Sequence, residues 1–337
     1  MNDFVNCKMN NSNGILIITL DFELYWGLLG KIPLENYREN ILGGRAVIPI
    51  LLELFKKYQI HSTWAIIGFL FCESRQELMR ALPKTRPNYV NRSLCPYDHI
   101  ARIGENEQQD PCHYAPSLIK LIISESGQEI GSHTFSHYYC LEKGQNLESF
   151  RDDLGAAIRL AGKEDLKLES LVFPKNQVNK DYLPILKEKG IKAYRGNESS
   201  WIYQERRDDD ETLFRRWLRL LDTYLNISGH NAYDKSVIKQ HFPFNIPSSR
   251  FLRPYSPKLA RFEQRRLARI LGDLTYAARN GLVYHLWWHP HNFGIYQEEN
   301  LRFLQKILDH FIKLKHAYGM ESLNLRDLSS RLLSERE

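Results

Sequence analysis

Short uninterrupted apolar runs alternate along this chain with longer stretches whose apolar residues recur every three or four places. Residues 14–24 contain ILIITL, a run that predicts a strand buried on both faces. Residues 45–58 (RAVIPILLELFKKY) place apolar side chains on one helical face and end in lysines that suit a helix C-terminus. Residues 62–69 (STWAIIGF) predict a second buried strand, closed by Gly68. Strand, helix and strand with apolar strands is the signature of a parallel sheet.

The rhythm breaks over residues 73–116, where Pro, Asn and Arg predict a long excursion across one face. It resumes with a helix over 116–124, the segment EIGSHTFSH (129–137) and a helix over 147–160. A strand over 170–173, a helix over 180–189 and a short strand over 192–194 follow. Residues 197–257 read as irregular and aromatic-rich, before a helix over 257–280, a strand over 282–287 and a helix over 298–316. The repeat predicts an incomplete α/β barrel. Its parts are a polar tail over residues 1–13 and one domain over 14–330, with insertions at about 73–116 and 197–257.

Composition narrows the function classes. The 337 residues are 43% hydrophobic and 26% charged, enough for a sizeable core. No apolar run approaches the roughly 18–20 residues that span a bilayer. The opening MNDFVNCKMNNSNG lacks a basic segment followed by an apolar one, so a cytoplasmic location is the expectation. Five scattered cysteines without a CxxC pair argue against a disulfide framework and a thiolate zinc site. A net charge of +6 is too diffuse for a nucleic-acid footprint and leaves anionic small substrates or a membrane surface open.

The polar candidates fall where predicted strands end, which is where an α/β barrel assembles its site. In TLDFELYWG, Asp21 and Glu23 lie two apart and share a face of an extended strand. Two carboxylates so placed need a cation or protons to offset their repulsion. His133 and His137 can converge on one ion, and a nitrogen–carboxylate donor set without cysteine suits zinc and also accepts cobalt, nickel, manganese or iron. In LVYHLWWHPHNFG, His289 stands where the strand stops and is the choice for general acid. His285 reads as a wall residue and His291 as a neighbour of the site. Trp287 and Trp288 alternate faces, so one packs in the core and the other can line the pocket; Trp288 is taken as the pocket residue. Lys175, Asn176, Asp222 and Arg250, with Arg253 beside them, can orient a carboxylate or hold a polar ligand.

Together these segments resemble the polysaccharide deacetylases that carry a NodB-like homology domain, akin to carbohydrate esterase family 4. The resemblance rests on LDFE, STWAIIGF, SHTFSH, FPKNQ and LWWHP in that order. It implies a distorted (β/α)7 barrel and metal-dependent removal of an N-acetyl group from a sugar. Asp21 would be the base, His133 and His137 metal ligands, and His289 the acid. Phe22 stands where the commonest motif has a second aspartate, which assigns Glu23 to the metal, with Asp21 as the fallback ligand. Lys175 stands near where many relatives carry an arginine that pairs with the base. The oxyanion is expected to meet a backbone N–H near Phe135 or Asn176. The expected partner is an N-acetylated sugar, free or linked to a nucleotide or lipid. A metal-free glycosidase would leave the histidine pair idle, and a non-catalytic carbohydrate-binding relative would have no use for Asp21, His133, His137 and His289 together.

Overall fold

The structure, a computed structural model, describes residues 13–336; most of the expected N-terminal tail, with Cys7, lies outside them. Nine strands form one sheet: β1 (Ile15–Phe22), β2 (Ser62–Ile66), β3 (Gln128–Ser132), β4 (Ser170–Val172), β5 (Ala193–Gly196), β6 (Phe244–Pro247), β7 (Arg250–Phe251), β8 (Val283–Trp288) and β9 (Glu321–Leu323). Every ladder is parallel, in the order β6-β5-β4-β3-β2-β1-β8-β7, with β9 beside the lower end of β1.

The sheet closes on itself through one bent segment. β6 pairs with β5, and β7, two residues later, pairs with β8 at the opposite end of the order. The exchange occurs between adjacent residues: the Ser248 amide donates to the Gly196 carbonyl at 2.9 Å, and the Ser249 amide to the His285 carbonyl at 2.8 Å. Counting β6 and β7 as one bent strand gives the expected (β/α)7 ring.

Helices α1 (Leu34–Tyr58), α2 (Arg75–Ala81), α3 (Pro116–Ser124), α4 (Leu147–Lys163), α5 (Leu183–Glu188), α6 (Leu213–Asp222), α7 (Lys235–Ile238), α8 (Glu263–Asn280), α9 (Gln297–Tyr318) and α10 (Leu325–Ser334) complete the fold. The alternation of β1 divides the core. Leu16, Ile18, Leu20 and Phe22 join a large cluster with residues of α1, α4, α8 and α9. Ile15 and Ile17 join Ala193, Phe244, Ile246 and Val283 in a smaller one. Leu325, Leu328 and Leu332 of α10 complete this smaller cluster, so α10 plugs the floor of the barrel. Above that floor the same face of β1 presents Thr19 and Asp21, and the interior turns from apolar to charged.

Two expectations need correction. The stretch 197–257 is not merely an insertion, because it holds β6 and β7 as well as α6 and α7. Those strands are short and β6 ends in proline, so they show no sustained alternation. Helix α1 starts at Leu34 rather than near residue 45. The Gly43–Gly44 pair sits inside the helix, where α1 crosses the turn after β8. A Cβ on Gly43 would lie 1.9 Å from the Gly294 carbonyl oxygen, so only glycine permits that approach. Gly43→Ala is therefore expected to lower unfolding free energy by ~1–3 kcal/mol in denaturant titration, the usual penalty of overpacking. An unchanged midpoint would show that the crossing relaxes freely.

Candidate metal centre and active site

At the top of β1 two carboxylates are buried side by side: Asp21 and Glu23 are 3% and 4% exposed. Burial alone would raise both pKa values, so each must meet positive charge. Asp21 meets Arg195 of β5, which reaches across the barrel in a bidentate pair, Nη1–Oδ1 and Nη2–Oδ2 both at 2.7 Å. Burial opposes ionisation of Asp21, but the Arg195 guanidinium overrides it and holds the carboxyl below its usual range. Three further contacts hold Arg195. It donates to Thr19 Oγ1 at 2.9 Å and to Asn176 Oδ1 at 2.8 Å, and lies 4.1 Å from the Trp287 ring centroid. Asn176 and its neighbour Lys175 both have positive φ, a strained turn after β4 that aims the Asn176 amide at Arg195.

Glu23 meets the histidine loop after β3. Its Oε2 lies 3.1 Å from His137 Nε2 and 3.4 Å from His133 Nε2. Burial opposes its ionisation too, but His289 and His137 hold it well below the usual carboxylate range. Gly27 leaves room for this side chain, since a Cβ there would fall 2.0 Å from the Glu23 carboxyl carbon. Thr134 and His137 adopt positive φ, so the loop curls, and the two imidazoles converge without a helix. Asp153 of α4 anchors the curl by accepting from the Phe135 amide at 2.7 Å and from the Ser136 hydroxyl. Burial pushes its carboxyl up to about 6.

These donors fit a cation. His133 Nδ1 donates to the Val172 carbonyl at 2.9 Å, which leaves Nε2 as a lone pair turned towards Glu23. That buried Nε2 has no hydrogen-bond partner. Burial pushes His137 down to about 4 despite the pull of Glu23, so it is neutral near pH 7. Donor atoms of Glu23, His133 and His137 all lie within 4.8 Å of one another. Two imidazoles and a carboxylate converging on one point make a three-ligand set of the kind that would leave an ion accessible to water and substrate. Glu23 also belongs to a second grouping with His289 and His291. The first is the better site, because all three of its members are buried and one of its nitrogens is orphaned.

His289 stands at the mouth, its side chain 21% exposed, with Nε2 3.5 Å from Glu23 Oε1 and 3.8 Å from Asp21 Oδ2. Asn292 turns the ring from behind, its Oδ1 3.3 Å from His289 Nδ1. His291 stacks on that ring at 4.9 Å and is buried, which pushes it down to about 3. His285 lies inside the barrel wall, with Nε2 3.0 Å from Thr19 Oγ1 and Nδ1 3.2 Å from the Ile246 carbonyl.

Beside this centre opens a cavity of about 260 Å³. Lys175, Arg206, Arg207, Arg219, Arg250 and Arg253 line it against three carboxylates, Glu198, Glu205 and Glu211. Asn176, Phe251 and Trp287 form the wall shared with Arg195 and His289. Burial and the neighbouring Lys31 ammonium push Lys175 down to about 7.

Several sequence expectations change here. Trp288 is not a pocket residue: it is fully buried, stacked on Phe293 and edge-on to Phe55, while Trp287 faces the cleft. Asp222 is also fully buried and its oxygens are taken by Arg250, Tyr203 and Ser228, so it holds no ligand. Arg250 reaches the cavity wall, but its guanidinium is committed to Asp222 and Asp273. The partner of Asp21 is Arg195, not Lys175, which lies over the Tyr139 ring. The Phe135 and Asn176 amides are not free for an oxyanion, since they already donate to Asp153 and to the Phe173 carbonyl. Arg195 escaped notice because KAYRG is a short segment with a single charge; an arginine on a strand otherwise wholly buried was the available signal.

Residues 42–194 match the polysaccharide deacetylase family, so the resemblance drawn from the sequence holds. The match takes in both histidines and stops one residue before Arg195. No match to a curated protein sequence was found. A Mycobacterium smegmatis protein named as a polysaccharide deacetylase superposes with TM-score 0.60 at 12% identity, covering 97% of this chain and 93% of its own. One from Pseudomonas aeruginosa PAO1, named likewise, gives 0.58 at 12%, covering 96% and 92%. PuuE allantoinase gives 0.51 at 11%, covering 95% and 91%. Such likeness shows the fold, and the differing names show that this barrel hosts more than one activity.

The donor set predicts about one equivalent of zinc or a similar ion by elemental analysis, and its loss in His133→Ala. A fully metallated His133→Ala protein would remove His133 from the site.

Proposed function

Residues 42–194 belong to the polysaccharide deacetylase family, hydrolases of acetyl groups, and on that premise we propose that the chain is a metal-dependent deacetylase of N-acetylated sugars. The observation that carries this reading is the convergence of buried donor atoms of Glu23, His133 and His137, with His133 Nε2 unpartnered, beside an ionised Asp21 and an accessible His289.

Glu23, His133 and His137 would hold a divalent ion, which when bound would supply Lewis acidity towards the acetyl carbonyl and a water. Asp21 accepts the proton of the attacking water. Arg195 keeps that carboxylate ionised and fixes its plane, at the cost of some basicity. His289 faces the same space from the other wall and donates a proton to the departing nitrogen, so that the C–N bond breaks to acetate and an amine. Trp287 offers an aromatic wall on which a sugar ring can pack.

The cationic cavity supports a finer reading, a substrate that carries phosphate, as a nucleotide- or lipid-linked precursor of a surface polysaccharide does. Of the two arginines of SSRFLRPY in the cavity wall, Arg253 is the better placed to meet it, because Arg250 is neutralised by Asp222 and Asp273. The four described cysteines are buried free thiols, which supports a reducing, cytoplasmic setting. Among the described residues no helix is long and apolar enough to cross a membrane.

Acetate release from N-acetylglucosamine 1-phosphate should be detected, disappear on chelation and return with zinc or cobalt. His289→Ala should lower kcat by ~10²-fold or more while the metal stays bound, in line with loss of one acid–base group. Undiminished turnover would exclude it as the acid. Arg253→Met is expected to raise KM by about tenfold for the phosphorylated sugar and leave that for neutral N-acetylglucosamine unaltered, a loss of about 1.4 kcal/mol specific to the charged group. An equal change for both sugars would separate the cavity from phosphate recognition.

A further inference from the structure

The loop that leaves β1 carries a lysine that belongs to none of the sequence motifs. Gly27 packs so closely on Glu23 that a Cβ there would fall on its carboxyl carbon. Lys31 lies four residues further on and folds back, its Nζ donating to the Gly27 carbonyl at 3.5 Å. The residue as a whole is exposed, but its ammonium is tucked inwards, where burial lowers its pKa. Lys175 comes from the turn after β4, three strands away. Its Nζ lies 4.5 Å from the centroid of the Tyr139 ring, which meets the His137 ring edge-on at 4.9 Å. The Lys31 ammonium donates to the Lys175 amine, so the two side chains meet head to head over the metal centre.

Two amines in contact stay charged together only at a cost, unless an anion comes between them. The surrounding charge does not remove that cost. The acids that face the pair are Glu23 and Glu142, and Arg216 adds a further cation near Lys31. Glu23 is already shared among His133, His137 and His289. With Glu23 serving as a metal ligand, the carboxylate left to answer Lys31, Lys175 and Arg216 among the described residues is Glu142. That carboxylate also accepts from Gln177 Nε2 at 2.8 Å. Position adds a second constraint. Lys175 lines the cationic cavity while Lys31 rests on the loop that packs against Glu23, so the pair stands where cavity and metal centre meet.

We propose that Lys31 and Lys175 clamp a phosphate carried on the sugar carbon next to the one that bears the acetamido group. An acetyl carbonyl at the metal centre and a phosphate in the clamp are then neighbours on one ring, as in a 2-acetamido sugar 1-phosphate. This rests on the deacetylase reading and deepens it, by placing the substrate's charge and by adding Lys31 to the residues that bind it.

The test is titration calorimetry with glucosamine, its 1-phosphate and its 6-phosphate, the amines that deacetylation would leave. The wild-type protein is expected to bind the 1-phosphate most tightly. Lys31→Met should weaken that binding about tenfold, as expected for one charge-assisted hydrogen bond, and should lessen the preference over the 6-phosphate. Lys31→Arg, which keeps the charge, should retain the preference. Equal affinity of the wild-type protein for the two phosphates would overturn the inference. So would an equal loss for both in Lys31→Met, which would reveal general attraction in place of a site. A loss in Lys31→Arg as large as in Lys31→Met would reduce Lys31 to a packing role. Elemental analysis should find the metal of Lys31→Met unchanged; its loss would make Lys31 a support of Glu23 and no part of a clamp. Binding of these amines needs no turnover, so a negative result leaves the deacetylase reading standing, and absence of acetate release leaves the clamp to be judged by calorimetry alone.

Discussion

Two carboxylates, Asp21 and Glu23, are withdrawn from water at the exit of a single strand, and the architecture above them supplies the positive charge that keeps them ionised. An uncompensated buried carboxylate costs several kcal/mol or takes up a proton. The barrel answers each one differently. Asp21 receives a fixed guanidinium from the far wall, with its planar fork matched to the carboxylate plane. Glu23 receives the imidazoles of His137, His133 and His289, an arrangement that a divalent cation would complete. On the proposed reading one carboxylate serves as proton acceptor and the other as ligand, although they lie two residues apart on the same face.

That division depends on elements far apart in sequence. Arg195 comes from β5, its aim is set by Asn176 after β4, and its flat side rests on Trp287 of β8. The histidine loop after β3 is held in shape by Asp153 of α4, and the turn carrying His289 is pressed against α1 where Gly43 allows contact. Closure of the ring brings these groups to one mouth. Below them the interior is apolar and plugged by α10.

Much of this was legible in the sequence. The runs around β1, β2 and β8 are too apolar to be anything but buried strands, and His133 and His137 point to a metal once they are read together with Asp21 and Glu23. What stayed hidden has physical reasons. Alternation says that Trp287 and Trp288 face opposite ways, but not which way is in; the answer depends on a register set by Asp21 on β1. Asp222 looks like a free acid in sequence, because the arginine that neutralises it is 28 residues away. Arg195 looks like any surface arginine until the barrel closes. β6 and β7 carry too few residues each to show a period, since each pairs on one side only.

The bent segment at Ser248–Ser249 has a mechanical meaning. The other barrel strands are flanked on both sides, whereas β6 is laced only to β5 and β7 only to β8. The ring therefore has a seam, and the seam lies in the wall that carries Arg250, Phe251 and Arg253 into the cavity. Thermal breathing concentrates where lacing is thinnest. Local opening of the ring would therefore begin there, by parting one zipper rather than dismantling the sheet.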